Sequence, residues 1–175
     1  KSLGNFIVLK DLFKKMNPMV LRFYILQSHY RSVLDFSDES MTAAGVGFER
    51  LRNSIFALKD VKIAENDDLT AYPELDALKK EFLDAMNDDF NTPIAISVLY
   101  EILKHSNNEL NKADRDTVKL EAVKRMIFTF TEDILGFNWN MADNTDSGEE
   151  NNREDKLIEF LIEIRKQYRT EKNFA

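Results

Sequence analysis

Apolar residues recur along this chain at the three- and four-residue spacing of a helix face, and no stretch shows convincing strand alternation. The clearest stripe is Met41, Ala44, Phe48, Leu51, Ile55 and Leu58, which steps by 3, 4, 3, 4, 3 behind a Ser37 cap. Upstream, Asn17 reads as an N-cap with Pro18 at the first helical position, opening the run Val20, Leu21, Phe23, Tyr24, Ile25, Leu26. That run is apolar around most of its girth and is expected to be largely buried. Pro73 starts a helix with Leu75, Leu78, Phe82 and Met86 on one side. The segment NDDFNTP (87–93) breaks it, with Thr92 expected to cap the next helix and Pro93 to lead it; Ile94, Val98, Leu99, Ile102 and Leu103 should face inward. A fifth helix runs from about Asp116 through Val123, Met126, Ile127, Phe130 and Ile134, with Gly136 as a left-handed cap and Phe137 as its hydrophobic contact. Residues 138–152 carry few apolar groups and several acids and read as a mobile linker. A last helix has Leu157, Leu161, Ile164 and Tyr168 in register. The fold class is therefore all-α, an antiparallel helix bundle. Gly45 and Gly47 weaken the long third stripe, either for close approach of another backbone or as a tolerated cost.

Composition supports this pattern. Gly 5 and Pro 3 are few for 175 residues, a length that suits one domain or a core domain with a small appendage. The absence of cysteine excludes disulfides, thiolate metal sites and a cysteine nucleophile. No apolar stretch approaches the roughly 20 residues a membrane-crossing helix needs, so no membrane partner is expected. The formal charge of −7 argues against a general nucleic-acid binder, but its distribution is polar. Residues 1–31 hold six Lys/Arg against one acid, whereas residues 60–91 hold three against ten. Residues 165–175 return to positive through Arg165, Lys166, Arg169 and Lys172. A polyanion would be held at the basic ends and repelled between them, although plain solvated surface accounts for the same pattern.

Catalytic chemistry is harder to find. His29 and His105 are far apart, and no ligand pair sits at helical spacing with a third nearby, so no metal site is expected. Asp88 and Asp89 lack the glycine and terminal glutamate of a calcium loop and read as turn residues. There is no nucleophile elbow and no glycine-rich phosphate loop. Read from its residues alone, the chain holds no complete active site.

Five segments carry a resemblance. KSLGN (1–5) is similar to the second half of the KMSKS signature of class I aminoacyl-tRNA synthetases. NPMVLRF (17–23), SHYRSVLDFS (28–37), MNDDFNTPIA (86–95) and RKQYRTEKNFA (165–175) then follow in the order seen in cysteinyl-tRNA synthetases. The resemblance implies that Lys1 is interior to a longer ATP-dependent ligase that joins cysteine to tRNA(Cys). It places the nucleotide-binding domain, the HIGH-type motif and a cysteine-selecting zinc site upstream, and a further charged helix and anticodon-reading domain downstream. It also implies two regions here. Residues 1–36 would end the KMSKS loop and form stem-contact-fold helices; residues 37–175 would form a DALR-like bundle that binds the anticodon arm of tRNA. A monomer in the cytoplasm is the family expectation.

On that resemblance, Lys1 would neutralise charge growing on the ATP phosphates, with Ser2, Gly4 and Asn5 supporting its loop. Lys10, Lys14, Lys15 and Arg31, and later Arg165, Lys166, Arg169 and Lys172, are the candidates for tRNA phosphates. Arg22 has two readings, a phosphate contact or an internal ion pair. His29 and Tyr30 are assigned to packing or hydrogen bonding at a helix end, His105 to helix surface, and Trp139 to a lid over the core in preference to a base stack. Two other functions share these features: a ligase joining cysteine to an amino sugar without reading tRNA, and a helical interaction module with no catalysis.

Overall fold

The computed structural model describes residues 8–65 and 68–139. The regular elements among them are all helices: α1 (Leu9–Leu12), α2 (Pro18–Leu26), α3 (Asp38–Phe56), α4 (Pro73–Asn87), α5 (Thr92–Leu110) and α6 (Thr117–Phe128), the last continued by a π-helical segment, Thr129–Ile134. The expectations for Lys1, Ser2, Gly4 and Asn5, for the linker beyond Trp139 and for the final helix with Arg165, Lys166, Arg169 and Lys172 lie outside the described residues. No described helix is long and apolar enough to cross a membrane.

Side-chain caps set several helix starts. Asn17 accepts a hydrogen bond from the Met19 N–H at 2.8 Å, Ser37 from the Ser40 N–H at 3.1 Å, and Asp116 from the Lys119 N–H at 2.9 Å. The expected Thr92 cap is displaced by one residue: Thr92 is already helical and Asn91 precedes it without a side-chain cap bond. The cause lies in the turn before. Asp89 and Phe90 are both left-handed, at φ 57° and 54°, and the N–H groups of Phe90 and Asn91 donate to Met86 and Ala85 at 3.2 and 2.9 Å. These bonds close α4 so tightly that the chain re-enters a helix one position early.

The core is aromatic at the α2 end. Phe23, fully buried, lies 6.0 Å from Phe48 and 6.3 Å from Phe137. Trp139 stacks on Phe48 and Phe137 at 5.7 and 5.4 Å and is 5% exposed, so it closes the core as a lid. Its burial, together with a bond from the Asn138 N–H to the Met19 sulfur, shows that the stretch expected to be mobile from residue 138 begins inside the packed body. One inward assignment is corrected, and the end of the fifth helix changes phase. Ile94 is 45% exposed because the buried face of α5 is built instead on Ala95, Leu99 and Ile102. Ile134 is 38% exposed because the wider π turn, with Leu135 N–H donating to the Phe130 carbonyl, adds a residue and hands the inward position to Leu135. Likewise α2 is less enclosed than its composition suggests, since Ile25 is half-exposed.

Contacts give the helix directions. Tyr72 at the start of α4 donates to Asp116 at the start of α6, and Phe82 stacks on Phe130 at 3.8 Å further along, so α4 and α6 run the same way with α5 antiparallel between them. Tyr100 donates to the Gly47 carbonyl and Asn107 to Ser54, an equal advance of seven on both helices, so α3 and α5 are parallel. A close approach does explain Gly47, but by side chains: a Cβ there would lie 3.1 Å from the Phe23 ring and 3.5 Å from the Tyr100 hydroxyl. At Gly45 the nearest atom is a Val20 methyl at 3.9 Å, ordinary contact. Because α2 packs on α3 and α5, elements on both sides of residue 36 share one core, and the described residues fall in one compact unit. The connection after α3 is held by α6: buried Lys124 donates to the Lys59 and Val61 carbonyls at 3.0 and 2.5 Å, and Arg125 to that of Ala64 at 2.8 Å.

Candidate nucleic-acid interface

The described basic candidates divide between the two ends of α2. Lys10, Lys14 and Lys15 lie on α1 and the turn leading to Asn17; Arg31 lies just past the C-terminal end. Nine helical residues, about 14 Å, separate the groups, so they form no single cluster. Lys10 and Lys15 are exposed. Lys14 pairs with Asp11 at 2.7 Å, but both side chains are more than 60% exposed, and such a pair contributes at most about 1 kcal/mol. A polyanion can therefore take Lys14 from Asp11 at little cost. Beside these lysines a groove of about 580 Å³ is lined by Leu12, Lys15, Met16, Val20 and Met41.

Arg31 enters a different arrangement. Its guanidinium reaches the Asp89 carboxylate at 3.1 Å and lies 5.4 Å from the centre of the Tyr30 ring. Tyr30 donates its hydroxyl to the same carboxylate at 2.6 Å, and the His29 Nε2 lies 3.9 Å from it. His29 also stacks on Tyr30 at 4.9 Å and accepts the Arg31 N–H at 3.3 Å. The bond to Asp89 raises the Tyr30 hydroxyl above its ordinary pKa. Thus SHYRS and MNDDF, 59 residues apart at Tyr30 and Asp89, meet at one carboxylate. The turn assignment for Asp89 holds, since its φ is positive. That it also gathers three side chains from the end of α2 is a feature sequence reasoning missed.

Among the described residues Arg22 makes a main-chain contact and not the internal ion pair that is one of its two readings. Its Nε donates to the Leu135 main-chain carbonyl at 2.7 Å, satisfying the end of the π-helical segment, and its guanidinium fills the space a side chain at position 136 would need. Gly136 has φ +67°, so the left-handed cap is present as expected. Between these groups lies a second cavity of about 490 Å³, bounded by α2, the α4–α5 turn and the π-helical segment. His105 is partly exposed on α5. No group of three or more possible metal ligands occurs among the described residues. What this surface offers is positive charge, a guanidinium and exposed rings, which bind and orient but do not transfer groups.

Comparison with known proteins places these segments. Residues 81–139 match the DALR domain family, and residues 1–45 match the family described as tRNA synthetases class I (C) catalytic domain. Over its whole length the chain is 39% identical to a cysteine–tRNA ligase of Chlorobium chlorochromatii, covering 36% of that protein. It is 36% identical to cysteine–tRNA ligases of Chlorobaculum tepidum and Shouchella clausii, again over all of this chain and over 35% and 36% of theirs. The chain thus spans about a third of the length of the relatives it matches. Both family matches fall in chain order, and over its whole length the chain is similar to cysteine–tRNA ligases.

Proposed function

We propose that this chain is the tRNA-facing helical region of a cysteine–tRNA ligase, which activates cysteine with ATP and transfers it to tRNA(Cys), acting as a monomer in the cytoplasm. The observation that carries the reading is the likeness of the entire chain to cysteine–tRNA ligases. The exposed cations at both ends of α2 support it, because sequence-blind phosphate contacts need accessible Lys and Arg. In this reading Lys10, Lys14, Lys15 and Arg31 meet tRNA phosphates near α2, and Arg165, Lys166, Arg169 and Lys172 meet the anticodon arm. Residues 1–36 serve as the end of the KMSKS loop and the stem contact, and residues 37–175 as the tRNA-binding bundle.

Lys1 contributes charge to the ATP site shared with the upstream catalytic domain, aided by Ser2, Gly4 and Asn5. Its ammonium stabilises the negative charge that develops on the phosphates as the cysteine carboxylate attacks and pyrophosphate departs. The zinc that selects the cysteine thiolate belongs to that upstream domain, since this chain has no cysteine to offer it. In the complete protein, Lys1→Ala is expected to lower cysteine-dependent ATP–pyrophosphate exchange by about a hundredfold, the scale of one transition-state charge interaction, with little change in cysteine affinity. Unchanged exchange would remove Lys1 from the reaction.

A further inference from the structure

Phe90 stands in the left-handed region at φ 54°, directly after Asp89 at 57°. That conformation is costly for an aromatic residue and free for glycine. Folding does not offset the cost: the ring is 64% exposed and stacks on no other ring among the described residues. Asp89 is different, because Tyr30 and Arg31 both bond its carboxylate. A tight α4–α5 turn would close as well or better with glycine at position 90. An exposed ring held at that cost points to a contact outside the described residues.

Its surroundings narrow the ligand. Phe90 borders the cavity of about 490 Å³ whose other walls include Arg22, Ile25, Tyr30, Met86 and Ile134. Ile25 and Ile134 are themselves exposed at 49% and 38%, so the walls present apolar surface, with Arg22 among the lining side chains. A flat, apolar, π-rich group suits these walls. A phosphate does not, because Asp88 shares the turn and Glu132 and Asp133 precede Ile134. An exposed ring, apolar walls and an arginine form a stacking platform for an unpaired nucleobase.

We propose that Phe90 and the cavity between α2 and the α4–α5 turn receive an unpaired base of bound tRNA, stacked on the Phe90 ring. The proposal rests on the tRNA-binding reading above and adds a base contact to its phosphate contacts. The test is filter binding of a tRNA(Cys) transcript to the complete protein over a salt series, with Phe90→Gly, Phe90→Trp and parallel thermal unfolding. Phe90→Gly should weaken binding roughly five- to hundredfold at an unchanged salt slope, since every phosphate keeps its cation. Phe90→Trp should restore affinity, and the unfolding midpoint of Phe90→Gly should not fall.

Equal binding by Phe90→Gly and the parent overturns the base site while leaving tRNA binding intact. A lower unfolding midpoint for Phe90→Gly overturns it by showing the ring covered by protein, and a reduced salt slope overturns it by assigning the effect to a phosphate. Absence of tRNA(Cys) binding by the parent protein at any salt overturns both readings together.

Discussion

At the scale of single residues, small groups fix what larger ones do. Gly136 combines a φ of +67° with a position where any side chain would enter the Arg22 guanidinium, itself bonded to Leu135. Gly136→Ala should therefore destabilise the protein by about 2 kcal/mol or more, adding left-handed strain to the disruption of the Arg22–Leu135 bond, as urea unfolding will measure. Glu109 is buried and accepts from Lys112 at 2.7 Å and from the Asp116 N–H at 3.0 Å. The Lys112 ammonium, then that N–H, hold its carboxyl below the usual range. A lowered folded pKa means the stabilisation is full above the ordinary glutamate value, about 4.3, and fades as pH falls through the lowered one. Glu109→Gln should be less stable at neutral pH and lose part of the acid dependence below about pH 4, which unfolding midpoints measured from neutral pH down into the acid range will show. Cap residues such as Asn17, Ser37 and Asp116 are legible in the sequence because their partners lie two or three residues away. Asp89 is not, because Tyr30 lies 59 residues away and no local pattern encodes it.

At the scale of elements, helical periodicity locates α2 to α6 but not the points where one helix changes phase. The π-helical segment keeps an α-like composition while rotating its face, so Ile134 and Leu135 exchange roles. The four residues of α1 are too few to show a stripe. The two glycines of α3 separate what the pattern could not. Gly45→Ala meets only ordinary contact and should stabilise by about 0.5–1 kcal/mol through helix propensity. Gly47→Ala would press a Cβ on Phe23, which is fully buried between Phe48 and Phe137 and cannot yield. Overpacking of about 1–3 kcal/mol is of the order expected there and exceeds the propensity gain. Paired denaturation of the two variants checks this, and stabilisation by both would show that the Phe23 ring has room to move.

For the whole molecule, the charge pattern conveys more than the sum of −7. The basic start of the chain becomes two exposed sites at opposite ends of α2, while on α6 buried Lys124 and half-buried Arg125 turn to main-chain carbonyls. Counting cations along the chain could not separate these uses, because burial depends on which helix packs where. The central claim is that the exposed set faces tRNA. The most direct measurement is the salt dependence of tRNA(Cys) binding by the complete protein, compared with Lys10→Ala, Lys14→Ala and Lys15→Ala combined. The account predicts weaker binding by the triple variant at every salt concentration and a log–log slope shallower by about one for each phosphate the variant no longer neutralises. Identical affinity and slope for the two proteins would contradict it.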